Sequence, residues 1–265
     1  MRRPLSCVLA LLAAGTLAGC EVDDREIGAA AAKQIDEQVT PLADPAAQAA
    51  MQKLGDALVR ASGDTNYQWR FRVVVDSSIN AFALPGGYVY VHTALIARAG
   101  DVDELGGVVG HEVAHAVLRH GAEQAEKGQI GTAILAGVCL FTGWCDGGLA
   151  SVAINVGTTA VMSKFSRGDE LEADSAGVQY AARAGLDPRG VTRFFKQLEA
   201  ERGDSPAILQ FLSTHPMEAD RIARVESLVA AGAARRVGSG APTATPKDSL
   251  VAWFALLQSR SSAPR

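Results

Sequence analysis

Two histidines and a glutamate near the middle of the chain have the types and spacing that suit a catalytic metal ion. His111 and His115 lie four residues apart, so on a helix both imidazoles project from one face and can reach one ion. Glu112 lies beside them, where its carboxylate could accept a proton from water at an open coordination position. This pentapeptide predicts a zinc-dependent hydrolase, although a match so short also arises by chance on surface helices.

A second group of acidic residues lies at 165–174. Glu170 and Asp174 are four residues apart in a segment that Ser166 can cap as a helix. One carboxylate could complete a site of two histidines and one carboxylate, and the other could hold a ligand histidine from behind. Glu172 is a competing third ligand, but it projects from a different part of the helix. Without the histidine motif, these residues would be interpreted as a solvated helix face.

The residues before the histidine motif predict a helix and a small sheet. Helical spacing of apolar residues, with Asp44-Pro45 at the start and Gly63 at the end, predicts a helix at 45–62. Alternating apolar residues at 67–75 predict a strand. Two further strands, at 79–84 and 88–92, flank a Pro-Gly-Gly turn.

The histidine motif itself falls on a predicted long helix at 101–126, with Asp101 and Glu104 at the spacing of a capping box. On that helix His120 would face away from His111, so we interpret it as a structural or surface residue. Helices at 166–184 and 187–201, and a last core helix after residue 216, complete the prediction. The expected fold class is α+β: a mostly helical zincin with a small β-sheet that borders the active-site cleft.

Three motifs together resemble a known family. They are HEVAH at 111–115, the pattern Ser-Arg-x-x-Glu-x-x-Ala-Asp at 166–174, and Thr-His-Pro at 214–216 followed by Arg221. In this combination the chain is similar to zinc metallopeptidases of the HtpX and CAAX-prenyl-protease type, above all to their periplasmic lipoprotein members. The resemblance covers roughly residues 44–231 and implies a minigluzincin-like fold.

The resemblance implies a role for each matching residue. Glu170 would be the third ligand of one zinc ion per chain, Asp174 the partner of a ligand histidine, and Glu112 the general base. His215 and Arg221 would lie over the cleft near the oxyanion of the tetrahedral intermediate. In resting members of the family, the histidine that matches His215 can itself occupy the metal. The simpler alternative is that His215 is a surface residue before a helix.

The resemblance also implies a substrate. Asn80, Ala81, Phe82 and Ala83 match the family's edge strand, against which a peptide lies extended. Strand addition recognises backbone more than side chains, which suits unfolded or misfolded polypeptides. The expected function is therefore a zinc-dependent endopeptidase that hydrolyses internal bonds of misfolded envelope proteins. The alternative is a chaperone-like or binding lipoprotein with a structural or plugged zinc site.

The first twenty residues are typical of an exported lipoprotein. A basic start and an uncharged apolar run at 5–17, too short to cross a membrane, predict a signal peptide at 1–19. Leu-Ala-Gly-Cys at 17–20 resembles a lipobox, so Cys20 would carry lipid and anchor the chain to the membrane. Glu21 favours the outer membrane, facing the periplasm, over the inner membrane. The alternative is an ordinary signal peptide with a chance cysteine.

The predicted organisation after the signal is a tether at 20–44, a metallopeptidase domain at 45–232, and a linker with a short C-terminal segment at 233–265. The C-terminal segment could dock on the domain or bind a partner. The net charge of −4 and the lack of a basic cluster argue against nucleic-acid binding.

An apolar region within the predicted domain carries the remaining cysteines. Residues 130–144 and 149–162 predict a helical hairpin, packed on the domain or dipping into lipid. Cys139 and Cys145 would form a disulfide in an oxidising compartment.

Overall fold

The computed structural model describes residues 23–124, 126, 165–201, 219–232 and 245–262. Between 202 and 218 it describes the positions 203, 205, 208, 211, 212, 215 and 216. Cys20, the hairpin predicted at 130–162, and its two cysteines lie outside these residues.

The described residues form helices around a three-stranded sheet. The helices are α1 (Asp24–Asp36), α2 (Pro45–Ser62), α3 (Thr93–Arg98), α4 (Val102–Val117), α5 (Arg167–Arg183), α6 (Gly190–Glu201), α7 (Ala219–Ala230) and α8 (Lys247–Ser261). The strands are β1 (Arg70–Val74), β2 (Ala81–Leu84) and β3 (Tyr88–His92). The predicted α+β class, mostly helical with a small sheet, is confirmed.

Helix α4 lies at the centre of the core and is buried around its whole circumference. Its N-terminus is capped by Asp101, whose side chain accepts a hydrogen bond from the backbone N–H of Glu104. Leu105, Val109 and Val113 are fully buried among α2, α5, α6 and the sheet. An apolar helix of this kind has to be enclosed, and enclosure also withdraws the histidines on it from bulk water.

Helices α4 and α5 approach each other closely at two glycines. A Cβ atom on Gly177 would lie 3.0 Å from both Cα and N of His111, and 3.1 Å from the carbonyl carbon of Gly110. The backbones can therefore meet only because Gly177 has no side chain. This close approach brings the carboxylates of α5 to the histidines of α4.

We expect Gly177→Ala to lower the free energy of unfolding by about 1–3 kcal/mol, because the added methyl group overpacks a backbone contact. Gly168→Ala is the matched control on the same helix, since among the described residues its Cβ would meet Oγ of Ser166 alone, at 3.5 Å. It should leave stability unchanged or raise it slightly, because alanine has the higher helix propensity. Urea unfolding of both variants tests the difference; equal effects would contradict the close-packing interpretation.

The sheet has the strand order β1–β3–β2, with β1 parallel and β2 antiparallel to β3. The turn between β2 and β3 contains Gly86 and Gly87, whose φ angles of 76° and 88° favour glycine. The predicted strand–turn–strand unit is thus present. Strands β1 and β2 are shorter than the apolar pattern indicated, because residues 67–69 and 79–80 lie outside the ladder.

The two edges of the sheet differ. Along β1, the side-chain amide of Gln48 exchanges hydrogen bonds with the backbone of Val73, and Gln52 bonds to the backbone of Phe71 and Trp69. These glutamines take the place of a neighbouring strand. Among the described residues, no strand pairs with the outer side of β2. In the described part of the chain, the outer edge of β2 is therefore the one without such backbone partners.

The segment predicted as a tether contains a packed helix, which corrects that prediction. Ala31, Ala32 and Ile35 of α1 are buried in a second apolar cluster with Leu84 and Tyr90 of the sheet. The buried face of α1 consists mostly of small residues, so the sequence offers few large apolar side chains at helical spacing there. The helix is recognised as part of the domain from its contacts with the sheet.

The C-terminal apolar segment docks on the body of the domain. In α8, Leu250, Phe254 and Leu257 are buried, and the helix packs against α2 and α3. No helix within the described residues is long and apolar enough to cross a bilayer.

Candidate active site

Three elements bring four side chains with metal-binding atoms to one place. Helix α4 supplies His111 and His115, α5 supplies Glu170, and the segment before α7 supplies His215. All four are buried, and one ligand atom from each lies within 4.8 Å of the other three. The structure thus assembles the set that spacing and family resemblance indicated.

The distances between these atoms fit a single small metal ion. Nε2 of His111 lies 3.0 Å from Nε2 of His115, and the imidazole nitrogens of these two residues each lie 3.5 Å from a carboxylate oxygen of Glu170. Nδ1 of His215 lies 3.4 Å from Nε2 of His111 and 3.0 Å from Oε1 of Glu170. Ligand atoms about 2.0–2.1 Å from a tetrahedral ion are separated by about 3.3 Å, so the residues present fit a metal.

The protonation behaviour of the two histidines also favours a metal ion at this position. Burial lowers the pKa of His111, but the carboxylates of Asp174 and Glu170 outweigh it and raise this pKa to about 9. Burial and the neighbouring His111 lower the pKa of His115 well below its ordinary value. The opposite directions show that two protonated rings with facing nitrogens 3.0 Å apart are disfavoured, and a metal cation between those nitrogens would remove the conflict.

The carboxylates of the site are held in their charged form. Burial alone would raise the pKa of Glu170, but the surrounding imidazoles, His215 first, hold it far below its usual range. Burial likewise opposes ionisation of Asp174, and the Arg221 guanidinium holds the pKa of Asp174 below its ordinary value. Both side chains therefore offer charged oxygens to cationic neighbours.

Each histidine of α4 has its second ring nitrogen beside another polar group. Nδ1 of His111 lies 3.1 Å from Oδ1 of Asp174, as the resemblance implied. Nδ1 of His115 lies 2.9 Å from Nδ1 of His120, and the His115 ring stacks on Phe165 with centroids 3.9 Å apart. Such contacts fix the orientation of a ligand imidazole.

The position of His120 corrects the sequence interpretation. The predicted long helix breaks: α4 ends at Val117, and Arg119 has φ 63°. This turn brings His120 back to His115, where it is 4% exposed. Helical periodicity extended past Val117 placed His120 on the far side, and neither glycine nor proline precedes it to signal the break.

Glu112 lies beside the four-residue cluster and is completely buried. Neither carboxylate oxygen has a hydrogen-bond partner among the described residues, and Oε1 is 3.4 Å from Nε2 of His215. Burial raises the pKa of Glu112, which makes its carboxylate a stronger base. An orphaned buried carboxylate facing metal-binding atoms is suited to proton transfer.

Arg221 differs from its expected place near the oxyanion. It is 1% exposed, and its guanidinium donates to both oxygens of Asp174 and to the carbonyl of Pro216. Its Nη1 also lies 2.5 Å from Oε2 of Glu170. Arg221 thus holds the two carboxylates of α5 from behind and is committed to them.

The competing third ligand, Glu172, lies outside the cluster. Its side chain is 69% exposed, and its Oε2 lies 3.7 Å from Nε2 of His120. Glu172 is therefore not among the residues that converge on the metal-binding atoms.

The proposed substrate strand lies next to the catalytic helix. Ala81, Phe82 and Ala83 belong to β2, which packs against α4, while Asn80 precedes the strand and is 3% exposed. Phe82 stacks on Tyr90 with centroids 5.0 Å apart. Oδ1 of Asn80 has no hydrogen-bond partner among the described residues. The outer backbone of β2 is the part we consider for recognition of a peptide.

The fold and the site together define a metallopeptidase. Residues 45–229 match peptidase family M48, and the chain belongs to that family. The recognition made from the three motifs is thereby confirmed.

The names of several similar proteins agree with this assignment to a peptidase family. Proteins of Vibrio cholerae and Yersinia pestis whose names include beta-barrel assembly-enhancing protease are 33% and 29% identical to this chain over 78% of its length, which is 45% of each relative. Mitochondrial metalloendopeptidase OMA1 of Schizosaccharomyces pombe is 33% identical over 64% of this chain and 49% of its own length. The chain spans about half the length of the curated relatives it matches.

Proposed function

We propose that this chain is a zinc-dependent endopeptidase that hydrolyses internal bonds of unfolded or misfolded proteins of the bacterial envelope. The observation that carries the proposal is the unpartnered, buried Glu112 carboxylate beside His111, His115 and Glu170. A purely structural zinc site is closed by its ligands and has no use for a free base.

The side chains divide the chemistry between them. His111, His115 and Glu170 would hold the zinc, which when bound polarises the scissile carbonyl and lowers the pKa of water. Glu112 takes the proton of the attacking water and delivers it to the leaving amine. His215, after leaving its resting position, is the candidate donor to the developing oxyanion. Arg221 and Asp174 keep Glu170 and His111 in place.

Substrate recognition follows from the open edge of the sheet. A peptide that adds to the outer side of β2 would be held by backbone hydrogen bonds, next to the helix that carries Glu112. This mode needs an extended segment and places few demands on its side chains. Unfolded and misfolded polypeptides meet both conditions, whereas compact folded proteins do not.

Export and lipid attachment are part of the proposal. The lipobox supports cleavage before Cys20 and acylation of its sulfur, which would tether the enzyme to the outer membrane facing the periplasm. The pair Cys139 and Cys145 would form a disulfide there. Intact mass spectrometry of envelope-extracted protein should show both modifications; another N-terminus, or two free thiols under non-reducing conditions, would contradict them.

The alternative, a chaperone-like or binding lipoprotein with a plugged metal site, is favoured by one observation. His215 already lies among the residues that would hold the metal, with Nδ1 3.0 Å from Oε1 of Glu170 and Nε2 toward Glu112. Incubation with unfolded casein, with and without a chelator, separates the two functions. Chelator-sensitive cleavage supports the peptidase, and metal-dependent binding without cleavage supports the alternative.

We expect His215→Ala to open the fourth position, because the small side chain no longer reaches the ligands. Zinc-edge absorption of a resting sample should then show that an oxygen ligand from water has replaced the imidazole nitrogen of His215. Casein cleavage rises if His215 only blocks the site; if it also donates to the oxyanion, the two effects oppose each other. Unchanged zinc-edge spectrum and unchanged cleavage together would show that His215 is neither ligand nor donor.

A further inference from the structure

The break at the end of α4 places a third histidine behind the metal-binding pair. Arg119, with φ 63°, is the one non-glycine residue with positive φ in the described part of the chain. A long side chain is strained in this conformation. A contact from outside the turn can offset this strain.

That contact comes from the start of α1. Nε and Nη2 of Arg119 each donate to one oxygen of Asp24, both at 2.7 Å. Asp24 is 7% exposed, and the hydroxyl of Tyr67 donates to its Oδ2 at 2.6 Å. A bidentate arginine–carboxylate pair has a fixed geometry, so it holds the backbone of Arg119 in position. We name this contact the Asp24–Arg119 latch.

From this geometry we infer that His120 is a positioning residue for the metal ligand His115, and that the Asp24–Arg119 latch keeps it there. The inference rests on the proposed function, because it takes Nε2 of His115 as a ligand atom. It assigns a role to a residue that neither the motif spacing nor the resemblance selected.

The tautomers are consistent with this role. If Nε2 of His115 faces the metal with its lone pair, the ring proton lies on Nδ1 and donates to Nδ1 of His120, 2.9 Å away. The proton of His120 then lies on Nε2, toward the carboxylate of Glu172 at 3.7 Å. His120 thus orients His115 as Asp174 orients His111.

The latch gives α1 an influence on the metal site. Asp24 forms an ion pair with Arg119, and Arg119 directly precedes His120 in the chain. A change at the N-terminal end of α1 would therefore reach His115 through one ion pair and one hydrogen bond. In a chain anchored just before this helix, the anchored end and the metal site would be mechanically connected.

The decisive comparison is His120→Asn with His120→Leu in the full chain. The two replacements have nearly the same shape, but only the amide can accept the proton of His115 with its Oδ1. We expect His120→Leu to weaken zinc binding by about 10- to 100-fold in competition with a chelator. His120→Asn should restore most of that affinity, and the cobalt(II) absorption spectrum should change in the leucine variant alone.

A second comparison tests the latch and remains informative if His120→Leu does not fold. Asp24→Asn removes the charge that holds Arg119, while Asp36→Asn makes the same change at the other end of α1, where Arg72 and Tyr90 are the partners. We expect Asp24→Asn to weaken zinc binding several-fold and Asp36→Asn to leave it unchanged.

Three results would overturn the inference: wild-type zinc affinity in His120→Leu, equal loss in His120→Leu and His120→Asn, or equal behaviour of Asp24→Asn and Asp36→Asn. These outcomes are distinct from failure of the proposed function. If the wild-type chain binds zinc and cleaves casein while His120→Leu is normal, only the role of His120 is lost. If the wild-type chain binds no zinc, the proposed function fails first.

Discussion

Replacing Glu112 with glutamine should reduce casein cleavage by a factor of at least about 100 while the zinc content of the protein stays at one ion per chain. The amide has the shape of the carboxylate but cannot take a proton from the attacking water. Glutamine keeps one side-chain oxygen, so it can retain the 3.4 Å contact of this position with Nε2 of His215. Initial rates and metal analysis of the same preparation measure both quantities.

A matched control for this variant is Glu201→Gln. Glu201 pairs with Arg98 at the surface, with 46% of its side chain exposed, so the same substitution there should leave cleavage unchanged. Cleavage at the wild-type rate by Glu112→Gln would remove the general base from the mechanism. The chain would then return to the class of binding lipoproteins.

Loss of Glu170 should abolish stoichiometric zinc binding, and with it all cleavage. In Glu170→Ala the metal would keep only the two histidines of α4 and the displaceable His215, and the carboxylate that faces Nε2 of both α4 histidines would be gone. The variant should also lose the rise in melting temperature that zinc gives the wild type, since a ligand stabilises the state that binds it.

Glu172→Ala is the control that decides between the two glutamates of α5. Its side chain is largely exposed and lies outside the ligand cluster, so zinc content and melting temperature should match the wild type. Full zinc and activity in Glu170→Ala, together with loss of both in Glu172→Ala, would reverse the assignment. Because Arg221 keeps its two bonds to Asp174, the fold of Glu170→Ala should survive for this comparison.

Much of the fold and the clustered residues could be predicted because they depend on local spacing. Histidines four residues apart share a helix face whatever surrounds the helix, and the caps at Asp101 and Ser166 mark where α4 and α5 begin. The family resemblance added His215, which no local rule would connect with a site more than a hundred residues earlier.

The features that the sequence did not reveal depend on distant contacts. The turn at Arg119 is held by Asp24, which lies 95 positions earlier in the chain, so the local sequence predicts an unbroken helix. Helix α1 buries mainly small residues, so its sequence resembles a solvated tether, and its packing depends on contacts with Tyr90 and Leu84 of the sheet. Arg221 pairs with the buried carboxylates of α5. The motif alone cannot indicate whether an arginine pairs with these carboxylates or lies beside the oxyanion of the substrate.

The asymmetric sheet limits how copies of this protein can associate. A continuous fibre requires two open edges on every copy, so that each can pair with one neighbour on either side. Here Gln48 and Gln52 occupy the outer backbone of β1, and of the two edges that the described strands form, β2 is the one left to pair. Polymerisation through the sheet would stop at a dimer, and that dimer would cover the strand at which we propose substrates are held.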